Sequence, residues 1–209
     1  MSESEGDENV HTTIILPNAD ITCNNQELFD SIRIDDIEKF QDLTSQFDNL
    51  NSVVLNLQGS DVPWMLRHQP LLPFVVAYFG ASECFSYLLL LDKIDFDIVD
   101  NFGRHLYQFV VAGGSLEILR ALDEKGIKLN MIADKNGNNI VHYAAKFGHF
   151  DVLKWLYVHG CKCFTDRNIN GATPLMWACS GGNPEMINFL LQQGAKVNEH
   201  TRFEVLKFF

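Results

Sequence analysis

The sequence matches itself when it is displaced by 34 residues, twice in succession and without a gap. Residues 170–198, NGATPLMWACSGGNPEMINFLLQQGAKVN, fall on 136–164 and then on 102–130. Gly103, Gly137 and Gly171 coincide, as do Gly114, Gly148 and Gly182, Leu122, Leu156 and Leu190, and Gly126, Gly160 and Gly194. A worn fourth copy, PLLPFVVAYFGASECFSYLLLL, aligns Val76, Ala77, Gly80 and Leu88 with Ala178, Cys179, Gly182 and Leu190, but has no closing glycine near Asp92 or Lys93. A period of this length means stacked supersecondary units, because one unit alone cannot bury its apolar face.

The unit reads as a helical hairpin. Thr173 can cap a first helix through its hydroxyl, Pro174 suits the first helical position, and Leu175, Ala178 and Cys179 form a thin apolar face. Gly182 ends that helix; Pro184 opens a second, on which Met186, Ile187, Leu190 and Leu191 lie at three- and four-residue spacings before Gly194. Asp100–Gly103, Asp134–Gly137 and Asn168–Gly171 read as tight turns joining successive hairpins. Leu122, Leu156 and Leu190 are predicted core residues.

These residues resemble the ankyrin repeat, approximately D-x-x-G-x-T-P-L-H-x-A-A-x-x-G-H with a later L-L-x-x-G-A-x-V-N. The last copy carries Gly171-Ala172-Thr173-Pro174-Leu175, Gly182-Asn183, Leu190-Leu191 and Gly194-Ala195-Lys196-Val197-Asn198. The middle copy adds Asp134, Gly137, His142, Ala144, Ala145, Gly148 and His149. Met176 stands where the family has His, Asn139 and His105 where it has Thr, and the period is one residue longer than usual. The resemblance implies an all-α solenoid of stacked helical hairpins joined by β-turn-like loops, with repeats at 70–99, 100–133, 134–167 and 168–198.

Glu27–Leu43 overlays the hairpin as a degenerate cap, with Asp30, Arg33, Asp35, Asp36, Glu38 and Lys39 on its polar side. Ser52–Leu57 and Val62–Leu66 are predicted to form a further worn hairpin, so that 26–69 is a capping region. This front portion, through Leu71–Gly80, also resembles an uncharacterised segment that precedes ankyrin repeats in many protist proteins. Residues 1–25 are expected to be an acidic mobile arm, with Thr12–Leu16 lying along the first helix. At the far end Val205 replaces a turn glycine, and RFEVLKFF either folds back as a cap or marks where a longer multi-repeat chain continues.

Composition narrows the function. The formal charge is −11, and residues 1–60 hold 12 Asp and Glu against 2 Lys and Arg. The remainder is close to neutral and has no basic stripe, which argues against nucleic acid as a partner. No stretch is apolar enough for a membrane helix, the acidic start is unlike a secretory signal, and five scattered cysteines fit a reducing compartment. An intracellular, cytoplasmic protein is expected.

Chemistry-bearing motifs are sparse. His159-Gly160-Cys161-Lys162-Cys163 could offer metal ligands, but no second Cys or His pair stands at a finger spacing, and Cys163 falls on an apolar column with Val197 and Leu129. His142 and His149 occupy columns where the ankyrin pattern has His, which implies turn-supporting hydrogen bonds. Cys161 has no neighbouring base, and no phosphate-binding loop is present. We therefore expect no enzyme, no metal and no cofactor.

The resemblance places partner contacts beside the turn glycines and after the small pair of each first helix. On this chain those positions are Asn101, Phe102 and Arg104; Lys135, Asn136 and Asn138; and Ile169, Asn170 and Ala172. The helix positions are Tyr78, Phe79, Lys146, Phe147 and Ser180. The rings would anchor a protein or peptide partner, and Arg104, Lys135 and Lys146 would meet acidic groups on it. Phe79 and Phe147 either stand in the groove or turn inward to fill worn columns. The same cations could instead meet the acidic arm, giving self-association.

Overall fold

The computed structural model describes residues 25–57, 61–91, 94–126 and 133–201. The expectations for the arm, for Thr12–Leu16, for Leu129 and for Val205 lie outside them. Ten α-helices form among the described residues, with no strand. A front hairpin, α1 (Asn25–Arg33) and α2 (Ile37–Thr44), precedes four more: α3 (Leu72–Phe79) with α4 (Ser82–Leu90), α5 (Leu106–Gly113) with α6 (Leu116–Glu124), α7 (Ile140–Phe147) with α8 (Phe150–Val158), and α9 (Pro174–Gly181) with α10 (Pro184–Gln192). Inner helices α3, α5, α7 and α9 pack on one another in order, and α4, α6, α8 and α10 form a second layer outside them. Successive inner helices start 34 residues apart, as the sequence period requires.

Local chemistry sets the boundaries. Thr173, Asn139, Ser115 and Asn183 each cap a helix by accepting a backbone N–H with the side chain. His105 does not; Gln108 instead reaches back, its Oε1 accepting the His105 N–H at 2.8 Å. Leu122, Leu156 and Leu190 are all buried in one continuous core, each contributing about 1.5–3 kcal/mol by removal from water. Gly113 decides how close two inner helices come. A Cβ there would lie 2.2 Å from the Tyr78 carbonyl oxygen, so only glycine lets α5 settle on α3.

The front hairpin is fastened by a cap in trans. Ala81 gives α4 no side-chain cap, and Asp35 fills that role: its carboxylate accepts the Glu83 and Cys84 N–H groups, each at 3.0 Å. Among the described residues, the further worn hairpin predicted over Ser52–Leu57 and Val62–Leu66 is not formed. The described residues of that stretch hold two 3-10 turns, Leu50–Ser52 and Trp64–Leu66. Leu55 N–H donates to Pro70 O and Leu72 N–H to Val53 O, around a Val54–Leu71 bridge. This pairing lays residues 61–70 along the stack instead of adding a layer to it.

Candidate partner-binding face

Three finger turns repeat one hydrogen-bond scheme. Asp100, Asp134 and Asn168 each accept, through Oδ1, the backbone N–H groups two and four residues on. Gly103, Gly137 and Gly171 return an N–H to the same residue's carbonyl. The Gly137 backbone, at φ 75°, is in the left-handed region that a side chain resists. Neighbouring fingers are tied by Lys135 N–H to Phe102 O at 3.0 Å and Ile169 N–H to Asn136 O at 2.9 Å.

A polar network runs inside the fingers. The Asn168 amide donates to Asn138 Oδ1, Asn138 Nδ2 donates to Asp134 Oδ2, and the Tyr143 hydroxyl donates to that same oxygen at 2.6 Å. Burial and the Asp134 carboxylate push the Tyr143 hydroxyl pKa far above its ordinary value, so it remains a donor. The ring N–H of His142 donates to Ala172 O at 3.1 Å and that of His149 to Ala112 O at 2.8 Å, each crossing from one repeat to the next. Burial holds His142 below its ordinary pKa, against the Ala172 hydrogen bond and the Asp166 and Asp134 carboxylates.

Ahead of the three fingers a bend stands at the same period without the glycine. Leu66–Pro70 lies one period before Asp100–Arg104, and Gln69 stands in the turn-glycine column with φ 50°. His68 thereby becomes the counterpart of Phe102 at the finger tip, and the two rings lie 5.3 Å apart.

Arg104 locks this segment to the stack. The sequence predicts its charge at the groove for acidic groups; the structure corrects this, for Arg104 is only 3% exposed. Its guanidinium pairs with Asp100 at 2.5 Å and donates to Met65 O at 2.8 Å. It also lies over the rings of Phe102, Phe109 and Trp64, at 4.9, 4.9 and 5.5 Å from their centroids. A cation so enclosed is committed to its own chain. Asn138 is likewise buried within the finger network and offers no open contact.

The remaining predicted positions divide into two groups. Tyr78, Phe79 and Phe147 are half-buried at the edge of the core. Phe79 meets Phe29 of α1 edge-on, which places it as a buttress of the front hairpin. Phe147 stacks on Trp64 at 6.1 Å and meets Tyr78 edge-on. Phe102 is joined to Trp64 through the Arg104 guanidinium that lies over both rings, and Trp64 is 45% and Phe102 38% exposed.

Asn101, Lys135, Asn136, Ile169, Asn170, Lys146 and Ser180 are exposed, and Ala172 is half-buried. Lys135 Nζ donates to Asn101 O and Lys146 Nζ to Ser180 Oγ, each at 3.1 Å, so both ammonium groups bridge adjacent repeats. His159 turns to Trp155 O and Asp123. Among the described residues no three His, Cys, Asp or Glu side chains gather as a metal cluster.

Trp64 and His68 escaped the sequence reading. The signal was present as an offset of 34 from Ile98 and Phe102, but it was hidden because Gln69 replaces the expected glycine.

A stack of helical hairpins with a hydrogen-bonded ladder of finger turns defines a helical solenoid repeat protein. Family models agree: one for ankyrin repeats in three copies matches residues 74–167, and one for a single ankyrin repeat matches 170–202. The chain belongs to the ankyrin-repeat family, whose members are in general protein–protein interaction modules. No curated protein matches it. No helix among the described residues is long and apolar enough to cross a membrane.

Proposed function

We propose that this chain is a non-catalytic interaction module that holds a protein or peptide partner across its finger tips and inner-helix ends. The observation that carries this reading is the group of part-open rings Trp64, Phe147 and Tyr78, with Phe102 joined to them through Arg104, beside finger tips that are tied in order from Phe102 to Lys135 and from Asn136 to Ile169. Large rings that keep part of their area open at rigid positions supply much of an interface's energy at small entropic cost. Ile169, 51% exposed, adds an apolar contact at the third finger. Lys135 and Lys146 supply the positive charge for acidic groups on the partner, in place of the enclosed Arg104.

Affinity capture from native extract, comparing the unaltered chain with Phe102→Ala plus Lys135→Glu, tests the face. The double variant is expected to lose its specific partners while keeping its circular dichroism. An identical set of captured proteins overturns the assignment. Sedimentation at low and high salt then distinguishes external capture from self-association through the acidic arm, since only the latter gives salt-sensitive oligomers without a partner.

A further inference from the structure

We propose that Cys161 and Cys163 form a dithiol modification site that a hydroperoxide-class oxidant converts to an intrachain disulfide. After α8 and its closing Gly160 the chain runs without regular secondary structure through 161–163, and the side chains of Cys161 and Cys163 come together. Lys162 points to solvent, and the two sulfurs meet at 3.1 Å. That separation is shorter than the roughly 3.5–4.0 Å at which uncharged carbon atoms pack, and sulfur is larger than carbon. The contact is a hydrogen bond between the sulfurs.

Cys161 is only 3% exposed, whereas Cys163 is half-buried and gives a small oxidant its approach. Proton sharing favours the chemistry. Either thiol can donate across this contact; with Cys163 donating, the bond lowers the Cys161 pKa, although burial and Asp166 act the other way. Cys84 is fully buried with its pKa pushed up by burial and by Asp35, and Cys179 is exposed. Both serve as internal references.

The step balances. One thiol and the hydroperoxide give a sulfenic acid and the corresponding alcohol, which is water for hydrogen peroxide; the neighbouring thiol then attacks that sulfur, forming the S–S bond and releasing water. Two electrons pass from the sulfur pair to the peroxide, and a thiol reductant reverses the bond by exchange. The site touches the fingers, because the Cys163 carbonyl accepts from Asn139 Nδ2 at 3.2 Å while Asn139 caps α7. Oxidation would close a ring on the segment that supports this cap.

Trypsin cutting after Lys154, Lys162 and Arg167 gives a direct readout, because it parts Cys161 from Cys163. The reduced chain is exposed to hydrogen peroxide, quenched with iodoacetamide, digested and analysed by mass spectrometry. The expected product joins Trp155–Lys162 to Cys163–Arg167, lighter by two hydrogen atoms, and separates after dithiothreitol. It should exceed any Cys179-linked disulfide at least about tenfold, since the second sulfur is already in place. In Cys161→Ser, with unchanged circular dichroism, the oxidised Cys163 lacks that sulfur and should be trapped by dimedone. The proposal is overturned if both cysteines are recovered alkylated after Cys179 has been consumed, or if each is oxidised separately.

Discussion

Replacing Arg104 by Met removes the charge and the donors while keeping an apolar stem of similar length. The loss falls on groups that cannot recover partners from water. Asp100, whose side chain is 13% exposed, would be left as a largely buried carboxylate, and the Met65 carbonyl would lose its donor. Breaking one side of a buried pair costs roughly 3–5 kcal/mol. We expect about 3 kcal/mol, the low end of that range, because Asp100 still accepts the backbone N–H groups of Phe102 and residue 104. A chain of this size should then melt about 6–12 °C lower.

Arg104→Lys should recover only part of the loss, since a point charge cannot reach Asp100 and Met65 together in the fork geometry that Arg uses. Asp100→Asn combined with Arg104→Met should be less destabilised than the sum of the single variants, by about 1–3 kcal/mol. Urea denaturation followed by circular dichroism gives the energies. Fluorescence in a Trp155→Phe, Trp177→Phe background reports whether Trp64 leaves Phe147. A loss below about 1 kcal/mol for Arg104→Met, or strict additivity in the cycle, would refute the view that Arg104 holds residues 61–70 on the stack.

Other consequences follow from single contacts. Gly113→Ala should cost roughly 1–3 kcal/mol of stability, measured by urea midpoint, because its Cβ meets the Tyr78 carbonyl oxygen. Gln69→Gly should instead stabilise by about 0.5–1 kcal/mol, since a left-handed backbone costs a side chain roughly 1–2 kcal/mol and glycine's greater unfolded entropy returns part of that. Leu156→Ala should lower stability by roughly 2–5 kcal/mol without touching the finger face. The pKa of His142 is lowered by folding, and that of His105 likewise by burial. The unfolded chain therefore binds more protons, so stability is full above about pH 6.5, the ordinary histidine value, and falls as pH drops below it. His142→Gln should flatten that slope in a thermal melt between pH 7 and 5; an unchanged slope would remove His142 as its source.

Much of the fold was legible because a solenoid writes its contacts into its period. Leu122, Leu156 and Leu190 were readable as core for this reason, and the three glycine-marked fingers were readable because Asp or Asn followed by Gly has few other uses. The proposed partner face was legible only in part. Phe102 and Lys135 stand open where the pattern placed them, but nothing in the pattern says that Arg104 is enclosed by three rings. Its role depends on Trp64 and Met65, which lie about forty residues away in a stretch whose own repeat signal is lost. Only a long-range packing event decides whether a cation at that column faces a partner or its own chain.

The sequence alone determined the repeating hairpin, its register and its caps, because each of these is a local choice reinforced every 34 residues. The tertiary structure decided how the front segment meets the stack: Gln69 accepts a glycine's backbone angle, Asp35 caps a helix forty-eight residues away, and Arg104 gives its charge to the interior. These outcomes rest on burial and on partners distant in the chain, and neither has a period that a sequence can display.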